Sequence, residues 1–152
     1  YKRQAIKTLQ NQHFSHNWPW EMGCVGGGMG KNWHVGRHKL VLVLPIDIEP
    51  FGWWVEQLVA ESLGKQGKGI LPWLAKLPGG DYPDDMFFVV WGGSNTYEDR
   101  RVMYQGALET AADLGAEFVH WEVATALAGA MLEVNPFDNA ETPIGNFTFF
   151  KL

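Results

Sequence analysis

The sequence predicts an α/β protein, a parallel sheet flanked by helices, and three observations predict it. Two unbroken apolar runs, Leu40 to Leu44 (LVLVL) and Met86 to Trp91 (MFFVVW), read as strands buried on both faces, the pattern of parallel strands lying beneath helices. Between them, Phe51, Trp54, Val55, Leu58, Val59 and Ser62 recur at helical spacing. Strands and helices therefore alternate along the chain, which is the sign of a layered α/β domain.

The elements follow in order. Ala5, Ile6 and Leu9 stand at loose helical spacing among polar neighbours, and Asn17 with Pro19 punctuates a new start, so residues 1–16 form a helical segment apart. From Trp20 to Val35 the apolar positions stay helical, but Gly23, Gly26, Gly27, Gly28 and Gly30 each weaken a helix by up to roughly 1 kcal/mol against Ala. The Leu40 run is closed by Pro45. Pro50 then suits a first helical turn and Gly64 a stop. Gly69 to Trp73 is a second, short strand. The Met86 run is bounded by Asp84 and Asp85 before it and by Gly92 and Gly93 after it. Glu98 to Asp113 reads as a helix, as does Gly115 to Leu132, whose stretch from Val123 to Met131 is apolar enough to be buried all round.

At 152 residues the chain has the size of one ordinary domain, and folding at that length removes roughly 70% of the unfolded surface from water. The 8 Trp and 9 Phe exceed what a core of this size needs, and point to an interface, with a homodimer as one form of it. A net charge of -5 without a basic stripe argues against nucleic acid as partner. A small anionic metabolite stays compatible with that charge, because one or two donors suffice to hold a phosphate. Cys24 is alone, so no intrachain disulfide forms and a reducing cytoplasm is the simplest setting. No apolar run reaches the length of a membrane span, and YKRQAIKTLQ lacks the apolar core of a signal peptide. A start at Tyr1 rather than Met gives the expectation of a fragment.

Two features invite chemistry that their spacing does not carry. In GCVGGGMGK, with Gly30 and Lys31 as the closing pair of a phosphate loop, Val25 stands where the opening Gly belongs. Asn32 also lacks the hydroxyl that reaches magnesium. His13 with His16, and His34 with His38, have spacings that bring two rings together on a helix, yet no third ligand stands at a telling interval. No metal and no cofactor is expected.

The segment Glu56 to Pro72 has an order more specific than any periodicity: E-Q-L-V-A-E-S-x-G-K-x-G-K-G-I-x-P. It resembles the C-terminal sugar isomerase (SIS) half of glucose-6-phosphate isomerase, closest to the isomerase part of bifunctional transaldolase/glucose-6-phosphate isomerase proteins. Gly36-Arg37-His38-Lys39-Leu40 resembles the family's G-R-D-K-L, with His38 in place of the acid, and Asp113 to Asp138 resembles its closing helix and N-P-F-D. The resemblance implies an SIS-type three-layer sandwich over residues 17–138, with a five-stranded parallel sheet, followed by a divergent tail, 139–152. It also implies interconversion of glucose 6-phosphate and fructose 6-phosphate, a step of glycolysis and gluconeogenesis. Glu61 is then the catalytic base that moves a proton between C1 and C2, and Gln57 a substrate-binding position.

Helical spacing agrees with that pairing, since Gln57 and Glu61 stand four residues apart on one side. At about 100° per residue Glu61 falls at the border of the apolar face, where partial desolvation raises a carboxylate's pKa while leaving it reachable. Spacing alone is equally met by the polar flank of an amphipathic helix. Lys65 and Lys68 read as a loop shaping the sheet edge rather than as phosphate contacts.

The chain departs from the family after Asp138. Asn146 stands where a lysine is expected, Pro143 breaks a helix, and no histidine matches the ring-opening position. Between Trp91 and Asp113 an apolar run that would give another strand is lacking, so the sandwich is expected to be incomplete. The phosphate-binding Ser/Thr loop belongs to an N-terminal SIS half, which would be a partner. Three readings follow: an isomerase domain inactive alone, a non-catalytic SIS module binding a phosphosugar or a partner chain, and a packing or dimerisation half.

Overall fold

The computed structural model describes residues 38–75, 82–92, 102–106 and 111–138, with 102–106 and 111–112 in backbone only. The expected segment 1–16, the Gly-rich stretch, His13, His16, His34 and the tail 139–152 lie outside the described residues. Four strands, β1 (Lys39–Val43), β2 (Leu71–Ala75), β3 (Met86–Trp91) and β4 (Val102–Gly106), form one sheet in the order β2-β1-β3-β4. All three pairings are parallel. Helix α1 (Glu49–Leu63) joins β1 to β2, and α2 (Ala111–Leu132) follows β4. The α/β class is as the sequence predicts, with helices on a parallel sheet.

The apolar runs owe their unbroken character to burial on both sheet faces. Successive strand residues point to opposite faces, so Leu40, Leu42, Phe87, Val89 and Trp91 join one core, while Val41, Val43, Met86, Phe88 and Val90 form a second. In register, Leu42 lies between Leu74 and Val89, and Val41 between Trp73 and Phe88. The first core receives both helices, through Phe51, Val55, Val59 and Leu63 of α1 and Trp121, Ala124, Ala128 and Leu132 of α2. Ala75 and Tyr82 pack on the second, with the Tyr82 ring 5.4 Å from that of Phe88.

The structure corrects the reading of Glu98 to Asp113 as a helix. Residues 102–106 are strand β4, paired with β3, so the sheet strand that seemed lacking is present. Its sequence, VMYQG, alternates too weakly to betray it. Helix α2 in turn begins at Ala111 and is not buried all round: Ala124, Thr125, Ala128 and Gly129 face inward, while Glu122, Ala130 and Met131 are exposed. Part of the aromatic excess lies in the core. Phe51 and Trp54 of α1 meet Phe118 of α2 at ring distances of 5.0 and 4.4 Å, and Trp91 and Trp121 are both 2% exposed.

One glycine sets how α1 lies on the sheet. A Cβ at Gly52 would stand 2.8 Å from Leu44 Cδ1 and 3.0 Å from Leu74 Cδ2, closer than van der Waals contact allows. The absence of a side chain lets this turn of the helix settle on β1 and β2. The helix thereby rotates so that Phe51, Gly52, Val55, Val59 and Leu63 form its buried stripe. Trp54 and Leu58 flank that stripe, packed against the core but only partly buried.

Candidate functional site

That rotation decides the setting of the expected base. With the buried stripe centred near Val55 and Val59, Glu61 lies roughly 150° away around the helix. Glu61 and Gln57 are both exposed, and Gln57 Nε2 donates a hydrogen bond to Glu61 Oε1. The structure therefore brings the two predicted residues together, but it corrects the expectation that Glu61 sits at the border of core and water. The carboxylate on that border is Glu56, on the opposite flank, whose pKa burial pushes above the ordinary value.

Helix α1 starts where β1 ends and runs back toward the start of β2. Glu61, in its last turn, lies near the N-terminal edge of the sheet. In open α/β sheets ligands gather instead at the carboxyl ends of strands, where the chain direction reverses. Here that place lies beyond β1 and β3, where Pro45 and Gly92 approach closely: a Cβ at Gly92 would stand 2.6 Å from Pro45 Cγ. Glu61 and Gln57 thus stand on the open face of the helix, away from that end of the sheet.

The residues following α1 explain much of the G-K-x-G-K-G pattern. Gly64 caps the helix with its N–H on Ala60 O at 3.0 Å, and Lys68 N bonds back to Lys65 O at 2.9 Å. Gln66 and Gly67 make that turn at φ of 55° and 68°. Gly69, at φ 146°, passes over the helix end, where a Cβ would stand 3.1 Å from Leu63 O. Lys65 is buried, and its Nζ donates to Asn135 O at 2.6 Å and Asp138 O at 2.7 Å. Lys68 Nζ donates to Leu132 O, the last carbonyl of α2, at 2.9 Å. Both ammonium groups are thus engaged by backbone carbonyls, in line with a structural loop.

The end of α2 is shaped to receive them. Val134 N bonds to Gly129 O at 3.0 Å and Glu133 N to Ala130 O at 3.2 Å, with Glu133 left-handed at φ 59°. This is the Schellman arrangement. Asn135 Oδ1 then accepts from Phe137 N at 3.1 Å, closing the N-P-F-D turn and leaving Phe137 85% exposed.

A polar cluster that the sequence reading missed lies inside the first core. Glu117 Oε2 accepts the Trp91 indole N–H at 3.2 Å, and Glu117 Oε1 lies 3.1 Å from His120 Nδ1. Glu117 and His120 are 4% and 6% exposed. The signal was an acid and a histidine one turn apart within an apolar stretch, Phe118, Val119 and Trp121. Burial makes the pair structural: it ties α2 to the carboxyl end of β3. No group of three or more metal-ligating side chains occurs among the described residues, and no described helix is long and apolar enough to cross a membrane.

Comparison of the chain with family models, curated proteins and solved structures gave no match.

Proposed function

We propose that this chain is the C-terminal SIS half of a glucose-6-phosphate isomerase, contributing Glu61 as the base of an aldose-ketose isomerisation. The observation that carries the reading is the Gln57–Glu61 pair: an exposed carboxylate steadied by a neighbouring amide, at the two positions that the family-like segment marks. The parallel α/β sheet is the scaffold this reading requires.

In the proposed reaction Glu61 takes the proton from C2 of the open-chain aldose phosphate, giving an enediol, and returns it to C1, giving the ketose. The O2 hydroxyl gives up its proton as O1 gains one, so the step balances. Gln57 holds one carboxylate oxygen by its N–H, so the other is directed to the substrate. A carboxylate acting on a proton in this way is worth roughly 10²- to 10⁴-fold in rate. The substrate's phosphate is held by the partner half, because Lys65 and Lys68 are already engaged by carbonyls.

The test is a coupled assay of fructose 6-phosphate turnover. Activity is expected when the chain is joined to a phosphate-binding SIS half, and little or none for the 152-residue chain by itself. Robust turnover by the chain alone refutes the shared site. A second reading, a non-catalytic module that binds a phosphosugar or a partner chain, is favoured by the exposed Trp53 and Trp73, at 58% and 39%. Phosphosugar binding by the joined protein without turnover would select it.

A further inference from the structure

Helices α1 and α2 end together at the N-terminal edge of the sheet, for Lys65 and Lys68, just beyond α1, reach the carbonyls at the end of α2. A helix carboxyl end carries roughly half a negative charge on its unsatisfied carbonyls. Two such ends side by side disfavour each other unless cations lie between them. Lys65 and Lys68 supply two, and neither comes from the last turn of a helix, since that turn holds no basic residue in α1 or α2.

Lys65 is the deeper of the two, at 4% exposure. A buried ammonium is stable only where acceptors replace its water, and the carbonyls of Asn135 and Asp138 do so from both ends of the N-P-F-D turn. Helix ends fray, and Glu61 lies in the last turn of α1, two residues before Leu63. The Gln57–Glu61 hydrogen bond spans that turn. Whatever holds the turn also holds the carboxylate.

We propose that Lys65 is a positioning residue for Glu61: its ammonium bolts the carboxyl end of α1 to the turn after α2, and so keeps the Gln57–Glu61 pair formed. The consequence for chemistry rests on the reading of Glu61 as the reacting carboxylate, whereas the bolt itself does not.

Native-state hydrogen exchange of the full chain, with Lys65→Met compared to the parent, tests the bolt. The amides of Gly64 and Val134, bonded to Ala60 O and Gly129 O, are expected to exchange at least about tenfold faster, a size set by losing charged hydrogen bonds. Amides of Leu42 and Val89 in the sheet are expected to change far less. The Gln57 side-chain amide, bonded to Glu61 in the parent, is expected to move to the chemical shift it takes in Glu61→Ala, where that bond is absent. Uniform acceleration at all four amides, or an unchanged Gln57 side-chain amide shift, overturns the proposal. If Lys65→Met does not fold, Lys65→Gln removes the charge but keeps a donor, and the same selective pattern is expected in weaker form; its absence is equally fatal. Failure of the catalytic reading shows elsewhere, as undiminished turnover in Glu61→Gln, and leaves these exchange rates untouched.

Discussion

Replacing Gly52 with Ala tests the rotation of α1, on which the exposure of Glu61 depends. Two effects oppose each other. Alanine favours a helix interior over glycine by about 1 kcal/mol. Against this, the new Cβ meets Leu44 Cδ1 at 2.8 Å and Leu74 Cδ2 at 3.0 Å. Overpacking of that kind costs about 1–3 kcal/mol. The atoms struck are the ends of leucine side chains, which can give by a few tenths of an ångström, so the cost lies toward the lower half of that range. The expected result is a net loss between zero and about 1 kcal/mol, read as an unchanged or lowered urea midpoint at unchanged slope. A gain of about 1 kcal/mol would mean that Gly52 does not face the sheet. The buried stripe would then shift, and the placement of Glu61 on the open face would be wrong.

Three further outcomes are expected. Glu56→Gln should stabilise the chain at neutral pH, because burial raises this carboxyl's pKa in the folded state and so disfavours its charged form. The gain should appear as pH rises above the ordinary glutamate value of 4.5 and vanish well below it; a gain that persisted in acid would contradict a charge origin. Trp91→Phe removes the donor to Glu117 Oε2 and should cost about 1–3 kcal/mol in chemical denaturation, the cost of leaving a buried acceptor without its partner. A loss below about 0.5 kcal/mol would show that the bond contributes nothing. Lys65→Met should loosen the two helix ends selectively, as hydrogen exchange reads it.

Much of the sheet was legible because burial on both faces writes itself as an apolar run, and Met86 to Trp91 is a strand from its first residue to its last. Helix α1 was legible from its periodicity, Pro50 and Gly64. Strand β4 was not, because Val102, Met103 and Tyr104 followed by Gln105 and Gly106 fit a helix face as well as a strand; pairing with β3 decides it. The rotation of α1 escaped for a related reason. The apolar periodicity takes in Trp54 and Ser62 and leaves out Gly52, although the glycine lies in the buried stripe, where a Cβ would meet Leu44 and Leu74.

The Gln57–Glu61 pairing was legible, being local to one helix. The roles of Lys65 and Lys68 were not, since each reaches carbonyls more than sixty residues away along the chain. Sequence spacing records which residues share a helix face, and it records nothing of which distant backbone that face meets. Glu117 and His120 were hidden likewise, since an acid and a histidine one turn apart belong more often to a wet helix face than to a core. Trp91 makes the difference, by bringing an N–H from β3.

The most direct test of the proposed base follows the proton rather than the product. The chain is joined to a phosphate-binding SIS half and incubated with fructose 6-phosphate in D2O. Deuterium should enter C2 of the aldose phosphate, as an enediol that exchanges with solvent requires. Glu61→Gln should lower that incorporation roughly 10²- to 10⁴-fold, the share a general base supplies, while the fold is retained because Glu61 is exposed. Incorporation undiminished in Glu61→Gln would contradict the account.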